Sequence, residues 1–245
     1  KLLLGVLLIA SLLPTTVLYA ASLSAVSLAA QQTVMTELAK LEKNNGKYIR
    51  SSKLQALKLI KDAIEKNPEL AASLTSFVIS QGVGVSATVT TACQAAAKSD
   101  QAAAITAAAI QAAPPALAAA ITAAAISVSP KQAAAITTAA INAVLKQAPA
   151  ITSAAVTAAP LQANAITKAA LKAAGSTEVR RLIAVAASNA GVPVQVINNE
   201  LKNITNKNGA YEVFQKDTSN TVNSTMTMGS NSEPTTTITN SSATT

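Results

Sequence analysis

The chain is predicted to be all-α: an Ala-rich α-solenoid of short antiparallel helices, one helix per ~15-residue repeat, preceded by an amphipathic helical hairpin and followed by a disordered C-terminal tail. Three observations predict this. "QAAAITAAAI" (101–110) returns nearly unchanged as "LAAAITAAAI" (117–126) and "QAAAITTAAI" (132–141), then more worn as "QAPAITSAAV" (147–156) and "QANAITKAAL" (162–171). An aliphatic residue followed by threonine recurs at Leu74-Thr75, Val89-Thr90, Ile105-Thr106, Ile121-Thr122, Ile136-Thr137, Ile151-Thr152 and Ile166-Thr167, in steps of 15, 16, 16, 15, 15 and 15 residues. Between these pairs stand Gly82, Gly84, Pro114-Pro115, Pro130, Pro149, Pro160 and Gly175, residue types that stop and restart helices. Each unit is then a helix of about ten residues, about 15 Å long, plus a tight turn. Short turns make successive helices antiparallel, and two units give the helical pair of a stacked repeat.

The elements follow in order. "KLLLGVLLIASLLPTTVLYA" has a positive start, an apolar run from Leu2 to Leu13, a polar break at Pro14 and small Ala20 at a cleavage position. Residues 1–20 therefore read as a secretory signal peptide of bacterial style, with an uncleaved membrane anchor as the alternative. Residues 31–67 read as the hairpin. Val34, Leu38 and Leu41 share one face of the first helix, "NNG" (44–46) ends it, and Leu54, Leu57, Ile60 and Ile64 recur at helical spacing in the second. Asn67-Pro68 stops that helix. Residues 68–205 hold the repeats. Toward the end these become more polar, as capping a stack requires: Ser176 with Glu178 starts one helix, Gly191 stops it, and Pro193 opens the next. "GAYEVFQK" (209–216) is expected to fold back as a small plug. From 217 to 245, twenty of 29 residues are Ser, Thr or Asn, too little apolar material to order a chain.

Composition excludes several classes of chemistry. There is no His and one Cys, which removes His-based acid–base catalysis, Ser-His-Asp and Cys-His nucleophiles and the usual zinc sites. Residues 101–177 contain no acidic group, so paired carboxylates cannot be built there. No catalytic residue, cofactor or metal is expected. Cys93 reads as a small buried apolar residue. The net charge of +8 comes from scattered lysines with no Arg-rich or aromatic-interleaved run, which argues against nucleic acid as a partner.

On a helical wheel with Ile105 at the origin, the positions of Ala107 and Gln111 drift to polar residues in later units and mark the wet side. Most of the rest is apolar, so the helix is buried on more than one side. Ala104 and Ala108, alanine in every unit, are expected to let helix axes approach to about 8 Å. Thr106, Thr122, Thr137, Thr152 and Thr167 admit two readings. Either each is buried and bonds the carbonyl four residues back, or they form a displayed Thr/Ala row that resembles the faces of repetitive ice-binding proteins. The expectation for the whole is an exported, non-enzymatic structural or interaction protein, in the periplasm, at the cell surface or outside the cell. Its partner is expected to be protein, copies of itself included, and it meets membrane only through an uncleaved N-terminal segment. A surface- or ligand-binding array is the alternative.

Overall fold

In the computed structural model the described residues are 29, 32–41, 43–44, 47–206, 210–217 and 224–230. The segment 1–20 lies outside them, as does Gly46 of the expected helix stop. Helix α1 (32–39) is followed by a two-residue ribbon, β1 (Lys43–Asn44) paired with β2 (Lys47–Tyr48), and by α2 (Arg50–Lys66). Then come α3 (Ala71–Ser80), α4 (Val85–Ala95), α5 (Ala102–Ala112), α6 (Ala118–Val128), α7 (Ala133–Ala143), α8 (Ala148–Ala158) and α9 (Ala163–Ala173). The array ends with α10 (Thr177–Asn189), α11 (Val194–Thr205) and an antiparallel hairpin of β3 (Ala210–Gln215) and β4 (Thr225–Ser230). The protein is thus mostly helical rather than all-α. The hairpin also corrects the expected tail, because 225–230 form a strand. Paired to β3, that segment can satisfy backbone groups that its own side chains cannot bury.

Helices of ten or eleven residues are marginal alone, and packing supplies what they lack. Each helix from α2 to α11 packs on the next but one as well as on its sequence neighbours. Odd- and even-numbered helices therefore form two rows, and apolar side chains fill the space between. From α5 to α8 every helix buries the same five positions: in α5 these are Ala102, Ile105, Thr106, Ala109 and Ile110. Burying one isoleucine contributes about 1.5–3 kcal/mol, so a unit with two holds its helix only through its neighbours.

The linkers repeat as strictly as the helices. Ser129, Val144 and Ala159 each adopt a similar non-helical conformation, with ψ of 60°, 78° and 72°, and a single 3-10 turn follows: Pro130–Gln132, Leu145–Gln147 or Pro160–Gln162. The N–H of the last turn residue donates to the carbonyl of that non-helical residue, at 2.9, 3.0 and 2.9 Å. Pro130 and Pro160 begin their turns, where a missing N–H costs nothing. Pro149 is not a separator, since it lies in the first turn of α8. Gly191 ends α10 with a φ of 100°, which glycine adopts without strain.

Two expected faces shift. In α2 the buried stripe is Ser52, Ala56, Ile60 and Ile64, while Leu54 is 64% exposed. Four-residue spacing on the true contact line outweighs the larger leucine beside it. In the repeats, Ala104, Ala120, Ala135, Ala150 and Ala165 are exposed, and Ala108 and its equivalents are half-buried. The closely packed alanines are instead Ala109, Ala125, Ala140, Ala155 and Ala170, all fully buried.

Candidate functional site

The five candidate threonines occupy one structural position. Thr106, Thr122, Thr137, Thr152 and Thr167 are each 0% exposed. Each Oγ1 donates at 2.7 Å to the carbonyl four residues back, those of Ala102, Ala118, Ala133, Ala148 and Ala163. A hydroxyl shut in an aliphatic core must find an acceptor, and the preceding turn of its own helix offers the nearest one. Thr75 does the same toward Ala71. In α4 the back-bonded residue is Thr88, which donates to Gly84, while Thr90 is only half-buried. Helix α4 starts right after Gly84, and counted from that start Thr88 and Val89 stand where Ile105 and Thr106 stand in α5. None of these core threonines reaches a surface, so they do not make a displayed row.

What the surface does display comes from the outer positions of each helix. On the even row Ser127 donates to Ala123 and Thr157 to Ser153, both at 2.9 Å, while Gln94 of α4 and Asn189 of α10 at the same position are exposed and without a hydrogen bond among the described residues. On the odd row the equivalents are Gln111 of α5, Asn142 of α7 and Lys172 of α9, all exposed and without a hydrogen bond among the described residues. One turn earlier stand Ala107, Thr138 and Lys168. Thr138 donates to Ala134 at 3.1 Å, and Lys168 lies 3.3 Å from Glu200 of α11. That Glu200 oxygen, Oε2, is buried and accepts no hydrogen bond. A groove of about 660 Å³ runs between α7 and α9, with Ala135 and Ala169 in its lining beside Thr138, Asn142, Lys168 and Lys172.

Helices α5 and α7 of the odd row run in the same direction. Gln132, in the linker before α7, donates through Nε2 to Asp100, in the linker before α5, at 2.9 Å. Both helices therefore start at one edge. Asp100 holds a left-handed φ of 52°, a conformation aspartate tolerates better than most residues.

A polar network closes the C-terminal end. Glu212 of β3 receives Arg180 Nε and Nη2 at 2.5 and 2.6 Å and the Thr177 hydroxyl at 2.7 Å. Burial pushes this carboxyl up, but the hydrogen bonds from Arg180 and Thr177 and the attraction of the guanidinium outweigh it. Glu212 therefore titrates below the usual carboxylate range. The outer edge of β3 is sealed by α11. The Asn198 amide accepts from the Phe214 N–H at 2.7 Å and donates to its carbonyl at 3.0 Å, and the Thr205 hydroxyl accepts from the Glu212 N–H at 2.8 Å. Lys202 lies 4.8 Å from the Tyr211 ring centre. Tyr211 in turn faces Gly229, where a β-carbon would meet Val213 at 2.9 Å. Asn198, Thr205 and Glu212 carry no spacing signal and could not be found without the fold.

Cys93 is buried and free, and burial pushes its thiol up to about 12. It is a core residue, not a nucleophile. Among the described residues, no three metal-ligating side chains converge, and no helix is long and apolar enough to cross a membrane. No family model, curated protein or solved structure matches the chain.

Proposed function

We propose that this chain is an exported, non-enzymatic helical-repeat scaffold: an α-solenoid of antiparallel helices that acts as a spacer or joint in a protein assembly at the cell surface or in the periplasm. The observation that carries it is the identity of the five buried positions through α5, α6, α7 and α8. Such sameness serves stacking at a constant pitch, not the convergence of unlike groups that catalysis needs. The apolar run and small-residue stop of residues 1–20 support export. The partner is protein, copies of this chain included, because the exposed surface of the repeats is rich in alanine and poor in charge.

Deleting Pro130–Ala159 tests the reading. The deletion removes one helical pair and its linkers, and it joins Ser129 directly to the turn Pro160–Gln162. The shortened chain is expected to keep its helicity per residue and cooperative unfolding, with its longest dimension in X-ray scattering reduced by one helix spacing, about 8–10 Å. Collapse to an unfolded chain would show that the array is not modular. Gel filtration with light scattering addresses assembly, and a monomer at all concentrations removes self-association.

A further inference from the structure

The C-terminal hairpin has two edges, and the fold treats them differently. Side chains of α11 close the β3 edge at Glu212 and Phe214. In an antiparallel pair, residues directly opposite each other turn their N–H and C=O groups either toward one another or both outward. Glu212 and Phe214 turn theirs to α11, so their opposite residues Met228 and Met226 turn theirs out along the edge of β4. These four backbone groups have no hydrogen-bond partner among the described residues. The Ser224 carbonyl just before them has one, accepting from Arg181 Nη1 at 3.1 Å. Strand edges are commonly guarded by charge, proline or a bulge. Thr225–Ser230 contains no charged residue and no proline, and its register with β3 runs without a bulge.

A side chain on the same edge is left uncovered. Glu212, Phe214, Met226 and Met228 share one face of the hairpin, by the alternation of a strand. Glu212 and Phe214 are buried there and Met226 is half-buried, but Met228 is 53% exposed.

We infer that the edge of β4 is a self-association surface, pairing antiparallel with β4 of a second copy about a two-fold axis at Thr227. The register that sets Met226 opposite Met228 of the second copy uses the four open groups alone. Both such pairs then exchange two hydrogen bonds each, and Ser224 stays with Arg181. Met228 gains Met226 of the second copy as an apolar neighbour. Thr227 meets its own counterpart across the axis, a favourable cross-strand pair. A second copy is the occupant because the strand is its own complement. Uncharged, it meets itself without repulsion, and one two-fold operation satisfies every open group of Met226 and Met228. The two hairpins become one sheet whose outer edges are both closed by α11.

This inference deepens the scaffold reading and rests on its claim that copies associate, and the measurements separate the two. The first is oxidative cross-linking of the full chain. In Thr227→Cys the two thiols stand in a directly opposed pair with Cα atoms about 4.5 Å apart, within disulfide reach. In Thr225→Cys they are four residues out of step, about 14 Å apart and beyond it. A disulfide-linked dimer is expected from the first variant only; the parent's single thiol, Cys93, is buried. The second measurement is sedimentation. Met228→Pro removes an outward N–H that β3 does not use, and dimerisation is expected to weaken at least about tenfold, two symmetry-related bonds being lost. Leu161→Ala, which trims a 97% exposed leucine in a repeat linker, is expected to stay within about twofold of the parent. Amide protection at Phe214 reports whether the proline variant keeps its hairpin, and where it does not, the cross-link decides. A parent that dimerises while neither cysteine variant cross-links, or both do equally, overturns this interface and leaves self-association standing. So does an undiminished dimer in a proline variant with its hairpin intact. A parent that is monomeric at all concentrations overturns both.

Discussion

Arg180 of α10 grips Glu212 of β3 with two parallel hydrogen bonds, and both side chains are largely buried, 17% and 6% exposed. This bidentate pair ties the hairpin to the last helices. Because folding lowers the Glu212 pKa, its contribution is complete above the ordinary carboxylate value of 4.5 and is lost as pH falls through the lowered one. Acid titration should therefore release β3 only below the ordinary carboxylate value, seen as faster amide exchange at Phe214 while the repeats stay protected. Glu212→Ala leaves the guanidinium buried without its partner and should weaken hairpin docking by on the order of 3 kcal/mol. Unchanged exchange in that variant would show that the pair holds nothing.

The core threonines make a sharper distinction. In Thr137→Val the shape is kept, and the Ala133 carbonyl retains its place in the helix ladder. Stability should change by less than about 1 kcal/mol, with either sign. Thr137→Ala opens a cavity and should cost about 1–2 kcal/mol. Urea unfolding measures both. A large loss in the valine variant would mean that the hydroxyl itself, and not the methyl, is what the position requires.

Exposure separates alanines that look alike in sequence. Ala140→Leu inserts three carbons where no space exists and should cost about 1–3 kcal/mol. Ala135→Leu, on the surface of the same helix, should fall within about 0.5 kcal/mol of the parent. Equal effects in thermal unfolding would contradict the packing described for α7.

Asn198→Leu removes both bonds that seal the β3 edge and leaves the N–H and carbonyl of Phe214, a residue 1% exposed, unmatched. A loss of about 1–3 kcal/mol is expected. The open edge should also promote association of the variant, measurable as concentration-dependent sedimentation beyond that of the parent.

These contrasts show which physical signals survive in a linear chain. Periodicity survived. The repeat length, the helix in each unit, the Ser176 and Gly191 boundaries and the wet position of Gln111 were all legible, because each follows from spacing or local backbone chemistry. What failed was the choice among equivalent small residues. Nothing in "AAAITAAAI" distinguishes Ala104 from Ala109, since both fit against a neighbouring helix and only the crossing geometry decides. Leu54 misled for the same reason, a large apolar side chain standing beside the contact line instead of on it. The hairpin was illegible because its stability is non-local. Glu212 gains its meaning from Arg180, thirty-two residues earlier, and the polar strand Thr225–Ser230 is ordered by backbone pairing to β3. In the candidate site, the outer polar positions were visible on the wheel. Which hydroxyls bend back, those of Ser127, Thr138 and Thr157, required the fold.

The bond from Gln132 to Asp100 has an electrical consequence. It aligns α5 with α7, and in the proposed antiparallel array the short linkers reverse the even helices between the odd ones. Each helix terminus carries about half an elementary charge, so every edge of the array alternates positive helix starts with negative helix ends across the two rows. The fields cancel over the thickness of one layer. A stack of this kind can be lengthened pair by pair without building a macroscopic dipole, leaving its lysines as the source of its long-range field.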